Sequence, residues 1–230
     1  MIGSIPIKQK WEARSSYLAL YPLWMCVLDI NENTIDAVIN DVWNEVQSKV
    51  KAGSMLSSEK TLVFMFAMQL VYKVGKNLKV DFENRCYENL DGSSKYLDLL
   101  FYTDDTYKVA LEFKLPKKSS GGASNQPETR EAIYRDIGRL MYLKSNELKP
   151  KACYFLMGVN EPAYLNSGRY RRSPELITAH NHQISQENSI VVDGVSLNGC
   201  VVSFIWTDIV QENNKYICNQ EYAWLTPIRV

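Results

Sequence analysis

Apolar residues recur at Ile35, Val38, Ile39, Val42, Trp43, Val46 and Val50, a spacing of three and four that winds into one stripe of an α-helix. Asn33 and Thr34 are candidate caps and Gly53 a stop, so the pattern predicts an amphipathic helix. A second helix is predicted from about Ser57 or Ser58 to Val74. It is apolar almost all round through Leu62-Val-Phe-Met-Phe-Ala-Met68 and is expected in the core. The period then changes to two. A strand is predicted around Leu78–Tyr87, and two clearer ones at Lys95–Tyr102 and Tyr107–Leu115 form a hairpin across Thr103-Asp-Asp-Thr106. Residues 116–128 are rich in Pro, Gly, Ser and Asn and read as a loop, expected to be mobile without a ligand. Asn125 and Pro127 then open a helix to about Ser145, with Ile133, Ile137, Leu140 and Lys144 along one side. A buried strand is predicted at Lys151–Val159, a short helix at Ser173-Pro-Glu and a strand at Gly199–Val210. The tail from Tyr216 is ambiguous, and no internal repeat appears.

Helices alternating with strands over 230 residues predict a single α/β domain. Five Trp and fourteen Tyr, with 46% hydrophobic and 23% charged residues, argue against disorder. The formal net charge is zero, so a nucleic-acid partner has to be sought locally. From Lys108 to Lys151 there are ten Lys or Arg against five acids, a basic surplus. Cys26, Cys86, Cys153, Cys200 and Cys218 form no CxxC pair, which disfavours both a disulfide framework and a zinc site and favours reduced, partly buried thiols. Lys8, Lys10 and Arg14 precede an apolar stretch, Tyr17–Ile30, but Pro22 interrupts it and no small-residue cleavage site follows. It is also too short to span a bilayer, so a core or edge element in a cytoplasmic protein with no membrane partner is expected.

The hairpin carries the candidate chemistry. Glu112 and Lys114 share one face of their strand, while Leu111, Phe113 and Leu115 point to the other. A register pairing residues that sum to 210 sets Leu97 against Phe113, Leu99 against Leu111 and Phe101 against Val109, all on one face. It also sets Asp98 opposite Glu112, and a one-residue slip would scatter the apolar set. Facing carboxylates repel and raise each other's pKa unless a cation lies between them. Few, hard oxygen donors suit Mg²⁺ or Mn²⁺. A lysine beside such a metal can position or activate a water and stabilise charge on a phosphate under attack.

Asp98, thirteen residues, then Glu112-Phe113-Lys114, on neighbouring strands between an N-terminal helix and a basic helix, resembles the PD-(D/E)xK nuclease superfamily. The likeness covers roughly Ser57 to Val159, within a single domain over 1–230; Leu97 stands where the family often has proline. The resemblance implies a restriction-endonuclease-like fold, α/β with a central mixed sheet flanked by helices. It also implies Mg²⁺-dependent cleavage of DNA at Asp98, Glu112 and Lys114, with a helix acid, Glu59, completing the metal site. A homodimer, with one site per strand, fits the same picture by analogy.

Other candidates carry two readings each. Glu59, in the first turn of its helix, is equally favoured there by the helix dipole. Lys117, Lys118, Arg130, Arg135 and Arg139 fit phosphate contacts, while pairs such as Glu131–Arg135 fit a solvated helix. Arg169-Tyr-Arg171-Arg172 reads as a nucleic-acid grip or as an exposed loop. His180-Asn181-His182 spells HNH, but nucleases of that name spread those residues over a ββα unit, and it is set aside. The rival to a nuclease is a non-catalytic nucleic-acid-binding or assembly protein on the same fold. A metal-dependent enzyme acting on another phosphoryl substrate would show a closed pocket instead of an open groove.

Overall fold

The stripe beginning at Ile35 folds as α1 (Ile35–Lys51), and all seven of its apolar positions are buried. The computed structural model describes residues 30–75, 77–90, 95–103, 107–118, 125–146, 148–168, 175–185, 190–192, 194–197, 199 and 201–230. Gly53 follows α1 with φ at 98°, a left-handed conformation open to a residue without Cβ. The second helix, α2 (Glu59–Val74), starts where Ser58 caps it, its hydroxyl accepting the Thr61 N–H at 3.2 Å. Its expected burial on all sides is corrected: Leu62, Phe66 and Leu70 are buried, but Phe64, Met68, Val71 and Tyr72 face solvent. The helix rests on α1 and the sheet, and among the described residues no layer covers its outer side.

Period-two patterning yields β1 (Lys79–Arg85), β2 (Tyr96–Tyr102) and β3 (Lys108–Lys114), joined antiparallel in that order. Helix α3 (Gln126–Ser145) is the crossover that returns the chain to β4 (Ala152–Val159), parallel to β3 and buried along its whole length. Beyond a 3₁₀ turn at Pro162–Tyr164 come β5 (His182–Ile184), β6 (Val191–Val192), β7 (Val195–Ser196), β8 (Val202–Phe204) and β9 (Trp206–Thr207). The hairpin of β10 (Ile209–Glu212) and β11 (Lys215–Cys218) follows, then β12 (Ala223–Leu225) and β13 (Ile228–Arg229). The main sheet runs β1-β2-β3-β4-β12-β9, with β13 also against β4, while β5 pairs with β8 and β6 with β7. Glu175–Ala179 carry no helix where one was expected from Ser173, which lies outside the described residues. The strand expected over Gly199–Val210 is broken into pieces, with Asp208 at a positive φ of 55°.

Two apolar layers sandwich the sheet. On one side α1 and α2 pack over Leu99, Phe101, Val109, Leu111, Phe113 and Leu115. On the other, α3 and the C-terminal strands pack over Leu100, Ala110, Cys153, Phe155 and Met157. The first layer is tied to the far end of the chain, since Trp43 Nε1 donates to the Leu225 carbonyl at 2.8 Å and its ring meets Trp224 edge-on at 5.3 Å. Gly158 makes room for that tryptophan: a Cβ there would stand 2.6 Å from Trp224 Cζ3.

The hairpin register sums to 210, with Leu99 opposite Leu111 and Phe101 opposite Val109. It stops one step short of Asp98 and Glu112. Beyond that point β2 stays paired with β1, Leu97 opposite Asn84, but parts from β3. Leu97 therefore does not share a face with Leu99; it turns into the α3 layer with Leu100 and Tyr87. This corrects the third apolar pair and marks a local twist of the strand at the acid. Across from Asp98 on β1, Glu83 holds a φ of 52°, a strained conformation for a residue with Cβ.

Candidate active site

The parting of β2 from β3 opens a notch beneath the N-terminus of α2 and the middle of α3. Asp98 turns its carboxylate into the ladder's place, and its Oδ2 accepts the Phe113 N–H at 2.7 Å. The acid thereby replaces a sheet hydrogen bond and is locked against β3. Glu112, 3% exposed, lies behind it, and Tyr87 donates its phenol to Glu112 Oε1 at 2.8 Å. Burial first, then the negative charge of Asp98, raises the Glu112 carboxyl well above the usual range. Asp98 is raised too, by burial, although the Phe113 N–H, a hydrogen bond with Glu112 and Lys114 all pull the other way. Burial and the repulsion between the two carboxyls thus both favour the neutral form of Glu112.

Lys114 reaches the notch from the next outward position of β3. Its Nζ lies 2.8 Å from Asp136 Oδ2 and 3.6 Å from Glu59 Oε1. Burial alone would push this ammonium down, but Asp136 and Glu59 outweigh it and hold it above the usual lysine range. Glu59 is fixed by the Leu115 N–H, which donates to its Oε2 at 3.0 Å; burial raises its carboxyl, against the pull of Lys114. The structure therefore brings Asp98, Glu112, Lys114 and Glu59 together. To these it adds Tyr87 and Asp136, which the sequence reading did not single out. A Tyr just past a strand's end and an Asp in a helix rich in arginine carry no periodic signal of their own.

The phosphate-binding candidates divide. Arg130 and Arg139 are 2% and 3% exposed, a correction to their reading as DNA contacts, because a buried guanidinium cannot meet a duplex backbone. Arg130 Nη2 donates to the Ala163 carbonyl at 2.7 Å and lies over the Tyr164 ring, while Arg139 lies over the Tyr87 ring at 5.2 Å. Arg135 and Lys117 are half-buried, and Lys117 donates to the Leu56 carbonyl; Lys118 is exposed. Arg169, Arg171 and Arg172 lie outside the described residues, as do 119–124 of the loop. His180 Nδ1 accepts the Trp206 N–H at 3.1 Å and His182 stacks on Phe204, structural roles for both. Cys86, Cys153 and Cys218 are free thiols, the first two pushed up to about 12 by burial; Cys26 and Cys200 lie outside the described residues.

Among the described residues no group of three or more His, Cys, Asp or Glu is placed to hold a metal. The pair of half-buried Asp98 and buried Glu112 nonetheless suits a hard divalent ion that takes one or two carboxylates and fills its other positions with water and phosphate oxygens, as Mg²⁺ does. A cation there would favour the ionised form of both carboxyls. Beside it, a cleft of about 350 Å³ lined by Glu59, Lys60, Val63, Phe64, Phe82, Glu83 and Asp98 opens to solvent. No helix among the described residues is long and apolar enough to cross a membrane. Comparison with known proteins finds no matching family model, no similar curated protein and no similar solved structure.

Proposed function

We propose that the protein is a Mg²⁺- or Mn²⁺-dependent nuclease of the PD-(D/E)xK type that hydrolyses phosphodiester bonds in DNA. One observation carries the reading: where β2 parts from β3, Asp98 docks on the Phe113 N–H beside the buried carboxyl of Glu112, with Lys114 two residues along. The order α2-β1-β2-β3-α3-β4, three antiparallel strands followed by a parallel crossover, supports the restriction-endonuclease-like assignment. In this reading Asp98 and Glu112 hold the metal, with Glu59 assisting from the end of α2. The ion supplies Lewis-acid charge and an acidified water. Tyr87 orients Glu112, and Asp98 is kept in place by the Phe113 N–H. The Lys114 ammonium steers the attacking water and offsets charge gathering on the phosphate. The open cleft beside Asp98 admits a polymer more readily than an enclosed pocket would. DNA over RNA, a cytoplasmic setting and a second copy for double-strand cleavage belong to the same proposal.

A second reading is a non-catalytic binding or assembly protein on the same scaffold. Lys114's contacts with Asp136 and Glu59 favour it, because an ammonium held by acids serves a structural ion pair equally well. Titration calorimetry with Mg²⁺ and Mn²⁺, on the wild type and on Asp98→Ala, run beside nicking of supercoiled and linear DNA, separates the two. Binding and cleavage that both vanish in the variant support the nuclease. A wild type that binds neither metal and cuts nothing rejects it.

A further inference from the structure

We propose that Asp136, in the middle of α3, is a positioning residue that holds the Lys114 ammonium beside the Asp98–Glu112 pair. The inference rests on the nuclease reading and adds to it the source of the lysine's orientation. A lysine is a compact charge on a four-carbon stem with many rotamers, and a strand fixes only where the stem begins. At the notch it needs a partner that selects one of them. Glu59 is the more distant of its two acids, at 3.6 Å, and more exposed; Asp136 stands at 2.8 Å and is 4% exposed.

A carboxylate that deep in the protein is costly to keep charged unless it is matched, and here two cations match it. Lys114 faces its Oδ2, while Arg139, one helical turn on, stands 3.7 Å from its Oδ1. Arg139 reaches the notch by a second route as well: its guanidinium lies over the ring of Tyr87, whose hydroxyl donates to Glu112. A single turn of α3 thus grips both functional positions of β3, Lys114 directly and Glu112 through Tyr87. Misplacing a reacting group by about 1 Å can cost about 100-fold in rate, so a brace of this kind is worth a buried charge cluster.

The test uses the full chain with Asp136→Asn, which keeps shape and removes charge, Asp136→Glu, Lys114→Gln and the Asp136→Asn/Lys114→Gln double variant. Single-turnover cleavage of linear DNA in Mg²⁺ should fall about 10–100-fold in Asp136→Asn, with Mg²⁺ affinity and KM little changed, and recover in large part in Asp136→Glu. In the Lys114→Gln background Asp136→Asn should add no further loss. Independently of turnover, acetylation of Lys114 by acetic anhydride, followed by mass spectrometry, should run several-fold faster in Asp136→Asn. Losses that add in the double variant, or a Lys114 acetylation rate unmoved by Asp136→Asn, overturn the inference. A wild type without cleavage under either metal rejects the nuclease reading instead, and the acetylation rates then still decide whether Asp136 holds Lys114. If Asp136→Asn does not fold, Asp136→Glu decides on the same readouts: it should cleave within tenfold of wild type, and a rate as low as that of Lys114→Gln overturns the inference.

Discussion

Replacing Glu112 by Gln should make the protein more stable at pH 8 and leave it nearly unchanged at pH 4.5. Glu112 is buried, within hydrogen-bond reach of Asp98, and its folded-state pKa lies well above the value of 4.5 for a free side chain. Below that value both folded and unfolded chains carry the proton, so the group contributes nothing adverse. As pH rises past it the unfolded chain releases the proton while the folded one retains it, and stability falls until the folded group ionises as well. Two full charges about 4 Å apart at an effective dielectric of about 20 repel by about 4 kcal/mol, and the desolvation of a buried carboxylate adds to that loss. Tyr87 and Lys114 offset part of it, so a gain of about 2 kcal/mol at pH 8 is expected for Glu112→Gln, or about 4–8 °C in Tm for a chain of this size. Thermal unfolding followed by circular dichroism, in EDTA, at half-unit steps from pH 4.5 to 8, measures the difference directly. Adding 10 mM Mg²⁺ should reverse the order at pH 8, because only the wild type would gain binding energy. Parallel curves for the two proteins over the whole range would refute the raised pKa of Glu112.

Gly158→Ala should lower the urea midpoint by the equivalent of about 1–3 kcal/mol with an unchanged m-value, since the new methyl meets the Trp224 ring. Near-ultraviolet circular dichroism should report the displaced indole. Arg130→Gln should cost about 1–3 kcal/mol of stability through its lost bond to the Ala163 carbonyl, while DNA affinity by fluorescence anisotropy stays unchanged. A large fall in affinity with stability intact would return Arg130 to the binding surface.

Much of the sheet was legible in the sequence because its signal is local. Period-two runs such as Val109-Ala-Leu-Glu-Phe mark a strand whichever neighbours it finds, and apolar pairing alone selects the register that brings Asp98 toward Glu112. What escaped depends on tertiary context. The turn of Leu97 to the opposite layer follows from Asp98 capturing the Phe113 N–H, a side-chain bond that no periodicity announces. The outward side of α2, with Phe64 and Tyr72, looked like core because apolar composition cannot tell how many layers lie above a helix. Arg130 and Arg139 looked like surface because arginine usually is; their burial rests on the rings of Tyr164 and Tyr87, which come from distant segments. The short strands β12 and β13 fall below the length at which alternation is visible at all.

The contact of Trp43 with Leu225 spans 182 residues, and Arg229 pairs with Asp36 across 193. Between them runs β4, apolar and buried along all eight residues, with β3 on one edge and β12 and β13 on the other. During synthesis β1 to β4 and α3 can assemble well before β12 leaves the ribosome, and until then β4 presents one bare, apolar edge to solvent. Such an edge is a template for another nascent chain, and closing contacts of this sequence separation is slow. Chains halted before Trp224 should therefore be claimed by chaperones or aggregate, and pairing of β12 and β13 with β4 is the step that closes this edge.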